Sequence, residues 1–260
     1  MPPFNPSSTP IREAPRPKIR RVYKTVVVQE RAIDERAEHG EGMAFWVLLD
    51  GKPTLTPLRS PLGTKHRALA EALAAEWDAQ NPSIDPDTMP LTRLVSTAID
   101  CVVPQRAALI SELMNYTDAD MLCYRASYPA DLKARQQAVW QPVLDWLDAT
   151  LGIALQASEG IVPHRQTAAT VAALKAAIAS LDDARLTALQ GAAAITSSLA
   201  LSLAIVHGRV DAAEAFAAAS LDESYQLEKW GADEMAEARR RLIERDLLAI
   251  GNYLRLLKLP

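Results

Sequence analysis

The side chains in this 260-residue chain best suited to moving protons are carboxylates. Glu76 and Asp78 flank Trp77, and Asp118 and Asp120 lie in Tyr116-Thr117-Asp118-Ala119-Asp120. Paired carboxylates can divide general-acid and general-base work when their surroundings push their pKa values apart. The same residues also cap helices and close turns, and Asp118 sits between two helix-like segments, so capping is the simpler expectation. His39, His66, His164 and His207 have no paired metal-ligand spacing, and no HExxH, GxSxG, GxGxxG or Walker loop occurs. Cys101 and Cys123 form no CxxC and predict two small buried thiols in a reducing compartment. The expectation is therefore no catalytic set, no metal and no cofactor. The alternative is a small-molecule enzyme that gathers Glu76, Asp78, Asp118 and Asp120 in an interdomain cleft.

Composition narrows the classes further. The chain is 49% hydrophobic and 23% charged, which excludes wholesale disorder. A net charge of −4 and a pI near 5.6 oppose nucleic acid as a main partner, because phosphate neutralisation needs a concentrated basic surface. Residues 1–17 are rich in Pro and Ser, lack an apolar signal core and predict a disordered tail. Arg16, Lys18, Arg20, Arg21 and Lys24 follow closely, leaving a peripheral membrane contact as a minor reading. Ala188 to Val206 carries no charge and has the length of a spanning helix. Its Gln, Gly, Thr and Ser residues and its many alanines instead predict a helix buried at the centre of a bundle, with no stable membrane insertion.

The elements that must position these residues change texture along the chain. Arg21 to Gln29, Ala44 to Leu49 and Lys52 to Leu58 read as three strands of a small antiparallel sheet, with Asp50-Gly51 as a hairpin turn. Glu30 to Gly42 reads as a long, solvated loop or hairpin tip. A helix capped by Thr64 and stopped at Asn81-Pro82 should cover the sheet. Helical spacing then predicts Leu91 to Val103, a third helix with Pro104 in its first turn, Leu132 to Leu151 with a kink or a fresh start at Pro142, Gln166 to Leu181, Asp183 to His207, Asp211 to Trp230 and Asp233 to Leu257. Gly152, Gly208 and Gly231 stand at helix ends, and Gly152 to Val162 has room for a short extended piece. The class is α+β: a small N-terminal antiparallel β-containing domain (18–90, after the tail at 1–17) followed by a larger all-helical C-terminal bundle (91–260).

Four of the five tryptophans, Trp77, Trp140, Trp146 and Trp230, fall in helical segments beside charged or amide residues. Core packing is the first expectation for all four, with an aromatic anchor for a protein partner as the alternative, and Trp77 and Trp146 are assigned to the core. Leu221 to Gly231 (LDESYQLEKWG) differs: Asp222, Glu223, Tyr225, Glu228 and Trp230 would place acids and aromatics on one short helix. Such a face suits contact with a protein partner, where aromatic residues anchor binding.

Seven stretches, in order from about Arg16 to Gly231, resemble a known family. They are Arg16-Pro17 with Tyr23-Lys24-Thr25-Val26; Leu49-Asp50-Gly51-Lys52 through Thr56-Pro57; Glu76-Trp77-Asp78-Ala79-Gln80; and Met89-Pro90-Leu91-Thr92 through Ala98-Ile99-Asp100. The rest are Thr117-Asp118 with Leu122-Cys123-Tyr124-Arg125-Ala126; Trp140 through Trp146; and Glu223-Ser224-Tyr225-Gln226 with Lys229-Trp230-Gly231. The family is that of the assembly chaperones of the F-type ATP synthase that hold its free α subunit. Val22, in place of an aromatic, and Gln141, in place of an acid, depart from its pattern. The resemblance implies a chaperone without catalytic site or cofactor, expected as a monomer. It also implies binding of the ATP synthase α subunit on the surface that later meets β. Asp222, Glu223, Tyr225, Glu228 and Trp230 are the expected contacts, with Glu223 foremost. The Ala-rich composition points to bacterial cytoplasm; a eukaryotic source would imply the mitochondrial matrix.

Overall fold

The Asp50-Gly51 hairpin forms as expected in the computed structural model, which describes residues 19–31, 45–160, 162, 164–231 and 234–258. The tail at 1–17 and most of the loop expected at Glu30 to Gly42 lie outside the described residues. Asp50 (φ 48°) and Gly51 (φ 79°) both adopt the left-handed backbone that a two-residue hairpin turn requires. Strand β1 (Ile19–Arg20) comes first, and β2 (Val26–Glu30) then pairs antiparallel with β3 (Phe45–Leu49), Val26 opposite Leu49 and Glu30 opposite Phe45. Across the turn β3 also pairs with β4 (Lys52–Pro53), and with β5 (Gly63–Thr64) at its other end. Pairing starts at Val26 rather than Arg21 because the N–H groups of Lys24 and Thr25 donate to the Asp50 carboxylate instead of to a strand. The third expected strand stops at Pro53, where the chain turns back on itself at Thr56 to Ser60.

Helix α1 (Arg67–Asp78) covers β2 and β3. It starts after His66, not Thr64; Thr64 lies in β5, where its hydroxyl accepts from the His66 N–H. Strand β6 (Ser83–Ile84) pairs antiparallel with β1. Helix α2 (Pro90–Thr97) continues through one π-helical stretch, Ala98–Val102, into α3 (Val103–Leu113). Pro104, in the first turn of α3, has no N–H to offer the preceding turn, and Gln105 is non-helical (φ −121°), so the ladder is widened and kinked there. By length and composition the stretch Pro90–Cys123 could cross a bilayer. Here it packs through α2 and α3 onto the surrounding helices.

Strand β7 (Tyr124–Arg125) pairs in parallel with β8 (Ser158–Glu159), the short extended piece expected after Gly152. Between them α4 (Ala130–Leu151) runs through Pro142 and ends at Gly152 (φ 67°). Thr167 caps α5 (Ala168–Ala179) by accepting from the Thr170 N–H. Two long helices expected from the sequence are each divided. Asp183 to His207 forms α6 (Asp183–Thr196) and α7 (Leu199–Val206), and Asp211 to Trp230 forms α8 (Ala212–Ala219) and α9 (Leu221–Trp230). The charge-rich α10 (Glu234–Leu256) follows. Every residue of α7 is buried, so the central element is apolar or small on every side as predicted, but it is about two turns long rather than about five. One apolar cluster extends from Val47 in the sheet to Leu257 after α10.

Candidate partner-binding site

Helix α9 is held by its own small apolar face. Leu221 and Tyr225 point inward, and Tyr225 is only 5% exposed. The Tyr225 hydroxyl donates to both carboxylate oxygens of Asp131 (2.8 and 2.9 Å), in the first turn of α4. That bond holds the Asp131 carboxyl below its ordinary range, and burial of the ring pushes the Tyr225 phenol up. Two cations sit against the ring, the Arg135 guanidinium at 5.3 Å and the Lys229 ammonium at 5.1 Å.

The acids expected to face a partner are all engaged within the chain. Asp222 accepts from Gln136 Nε2 (2.8 Å), and Gln136 Oε1 accepts from the Ala126 N–H (2.7 Å), so one buried amide ties α9 to the segment after β7. Glu223 pairs with Arg240 of α10 (3.2 Å), whose second terminal nitrogen donates to Ser224 Oγ and whose guanidinium lies over Phe216. Glu228 accepts twice from Arg135 Nη1 (2.9 and 2.7 Å). Trp230 ends the helix 77% exposed, before the chain turns at Gly231 (φ 86°) towards α10. Four of the five expected residues thus reach the surface fully or in part, while Tyr225 is the inward anchor of the helix that carries them. The clamps from α4 and α10 have no local signal: Asp131 is 94 positions from Tyr225.

Near this helix lies a charge that, among the described residues, has no carboxylate in direct contact. Arg125 is buried, donates to the Leu122 carbonyl and, at 3.4 Å, to the Gln141 amide oxygen, and stacks over Trp140. Trp140 is itself buried, and its indole N–H donates to the Ala218 carbonyl at the end of α8. Trp77 and Trp146 are half-buried and pack against the core, as expected.

The carboxylates of the enzyme alternative each serve as struts. Glu76 accepts from the Leu91 and Thr92 N–H groups (both 2.8 Å) and so caps α2; burial pushes its carboxyl up. Asp78 pairs with Arg21 (3.0 Å). Asp118 accepts from the Gln166 N–H. Asp120, 1% exposed, accepts from the Leu122 and Ala200 N–H groups and from Ser198 Oγ, bracing the α6–α7 break; its carboxyl is also pushed up by burial. Among the described residues no three His, Cys, Asp or Glu side chains cluster as metal ligands. Cys123 is buried, its thiol pushed up to about 12, whereas Cys101, expected inside, is exposed; both are free.

The fold is α+β, its carboxylates brace helices, and the clamped helix α9 ends in an exposed indole. Residues 20–148 match the family described as ATP12 chaperone protein. Over 92% of its length the chain superposes on the crystal structure of Atp12 from Paracoccus denitrificans (TM-score 0.83, 36% identity, 99% of that chain covered). A protein of Agrobacterium tumefaciens aligns equally well (TM-score 0.83, 38% identity, 92% of this chain and 86% of that one). The mitochondrial protein atp12 of Schizosaccharomyces pombe is 28% identical over 238 residues, 85% of this chain and 77% of that one. The chain belongs to the ATP12 chaperone family. It is a chaperone of ATP synthase assembly and not an enzyme.

Proposed function

We propose that this chaperone binds the unassembled α subunit of the F-type ATP synthase and shields the surface that later meets β. The carrying observation is Trp230, an indole left in water at the end of a helix fixed on both sides by ion pairs. A large aromatic on a rigid support loses little entropy on docking and is the residue type that dominates binding energies. Around it Asp222, Glu223 and Glu228 supply the polar rim, and Tyr225 positions the helix. By mass action, a binder of the free subunit lowers the concentration of its exposed apolar surface, and β can displace it by competing for the same face. The helical part (91–260) carries this contact, with α9 held by α4 and α10. The chaperone acts as a monomer in the bacterial cytoplasm, or in the mitochondrial matrix if the source is eukaryotic.

The test is co-expression with the α subunit, reading the soluble fraction. Trp230→Ala should leave Tm unchanged and weaken retention of α about 30-fold, the equivalent of about 2 kcal/mol for an anchor residue. Glu223→Lys also breaks the Arg240 pair, so it is compared with the double exchange Glu223→Lys, Arg240→Glu. If the contact role is right, both variants fail to keep α soluble. Restored solubility in the double exchange would reduce Glu223 to an internal strut, and full retention by Trp230→Ala would remove this face from the reading.

A further inference from the structure

The last turn of α9, which carries Trp230, is held by the first turns of α4. Of the ten residues of α9 only Leu221 and Tyr225 are buried, and both lie in its first half. That half is tied on two sides, Asp222 to Gln136 of α4 and Glu223 to Arg240 of α10. Among the described residues, the side-chain ties beyond Tyr225 run to α4: Glu228 to Arg135 (2.7 Å) and Lys229 to Asp131 (3.4 Å). Asp131 therefore grips α9 twice, at the Tyr225 hydroxyl (2.8 and 2.9 Å) and at Lys229, the residue before the exposed indole. Residues 225 and 229 are one helical turn apart on the same face, so a single carboxylate fixes the direction of the helix end. Asp131 lies in the first turn of α4, where the helix dipole favours an anion, and the Tyr225 bond also favours its charged form.

These ties add little to global stability. The Asp131 and Lys229 side chains are 51% and 48% exposed, and ion pairs so open to water are screened and weak. Their effect on geometry is the greater one. A helix end that can fray or swing must be ordered when it docks, and that entropy is lost from the binding free energy. We propose that Asp131 is the positioning residue of the client contact: without touching the α subunit, it sets the direction in which α9 presents Trp230. This role rests on the α9 reading above and deepens it, placing control of client affinity in α4.

The test uses the full chain co-expressed with the α subunit. Asp131→Ala removes the pin, and Tyr225→Phe removes the hydroxyl it holds. Each variant should leave Tm unchanged and lower co-purified α subunit about tenfold, while hydrogen exchange of the amides at 227–231 speeds up and that of α7 keeps its rate. In a Trp230→Ala background, Asp131→Ala should cause no further loss, because the pin then has no anchor to aim. Full retention by Asp131→Ala alongside loss in Trp230→Ala would overturn the positioning role and leave the α9 reading standing. Loss of retention at unchanged amide exchange would overturn it too, making Asp131 a direct contact. A lower Tm in both single variants, or a full additional loss in the Trp230→Ala background, would reduce the pair to a structural strut. If the unmodified chain retains no α subunit, the α9 reading itself fails, and the positioning role with it.

Discussion

Asp50 does two jobs with one side chain. Its backbone makes the hairpin turn, and its carboxylate collects the N–H groups of Thr25 and Lys24 and the Thr25 hydroxyl. Those bonds, the Thr25 N–H foremost, hold its carboxyl below the unperturbed 3.8. A carboxyl lowered by folding contributes stability that is complete above the unfolded value and is lost as pH falls through the folded one. Thermal melts from pH 6 downward should therefore show Tm falling below about pH 4. In Asp50→Asn, which tolerates the left-handed backbone but cannot ionise, that part of the decline should be missing. Trp140 is the counterpart in the core, since its indole N–H occupies a carbonyl that α8 leaves unpaired at its end. Trp140→Phe keeps most of the ring but frees that carbonyl and opens a small void. Denaturant titration should give a loss of about 2 kcal/mol. Both residues were legible by type, Asp-Gly as a turn and Trp140 as a candidate for packing, but neither hydrogen-bond partner was, because each lies far away along the chain.

Elements in this chain end where another segment supplies a cap. Asp183 to His207 has unbroken helical character, yet Ser197 adopts φ 53° and Ser198 begins a new helix by accepting from the Leu201 N–H. The break is stabilised by Asp120, which takes the Ala200 N–H and the Ser198 hydroxyl from 80 and 78 positions away. Asp120→Ala would strand these groups in a dry interior, and the expected loss is on the order of 3 kcal/mol, read as a lower midpoint in urea. Helix α10 meets α8 through a missing side chain: a Cβ on Gly251 would lie 2.9 Å from Ala212 Cβ. Gly251→Ala should cost about 1–3 kcal/mol by overpacking, and adding Ala212→Gly should recover part of it, a coupling that a double-mutant cycle measures. Glycine inside a helical pattern flags such a contact, but its partner emerges only once the helices are packed.

At the scale of the whole molecule, the sheet and the helices share one apolar cluster, with α1 resting on β2 and β3 and also meeting α2 and α10. Unfolding should therefore be a single transition, with fluorescence and far-ultraviolet dichroism giving the same midpoint; two separated midpoints would show independent units. Sequence alone determined the α+β class, the hairpin, the sites of most helices and the lack of a catalytic motif. Each of these follows from local backbone preference, from hydrophobic period, or from the presence or absence of a short motif. Its resemblance to a chaperone family was legible too, because seven short stretches stand in order. Tertiary structure decided the rest: that two long helices are divided, that Tyr225 faces inward while Trp230 stays bare, and that the α9 acids are already paired. It also decided that Glu76 and Asp120 cap helices instead of sharing a cleft. Those outcomes depend on groups brought together from distant positions, and a hydrogen bond or ion pair is set by distance in space, which residue order does not encode.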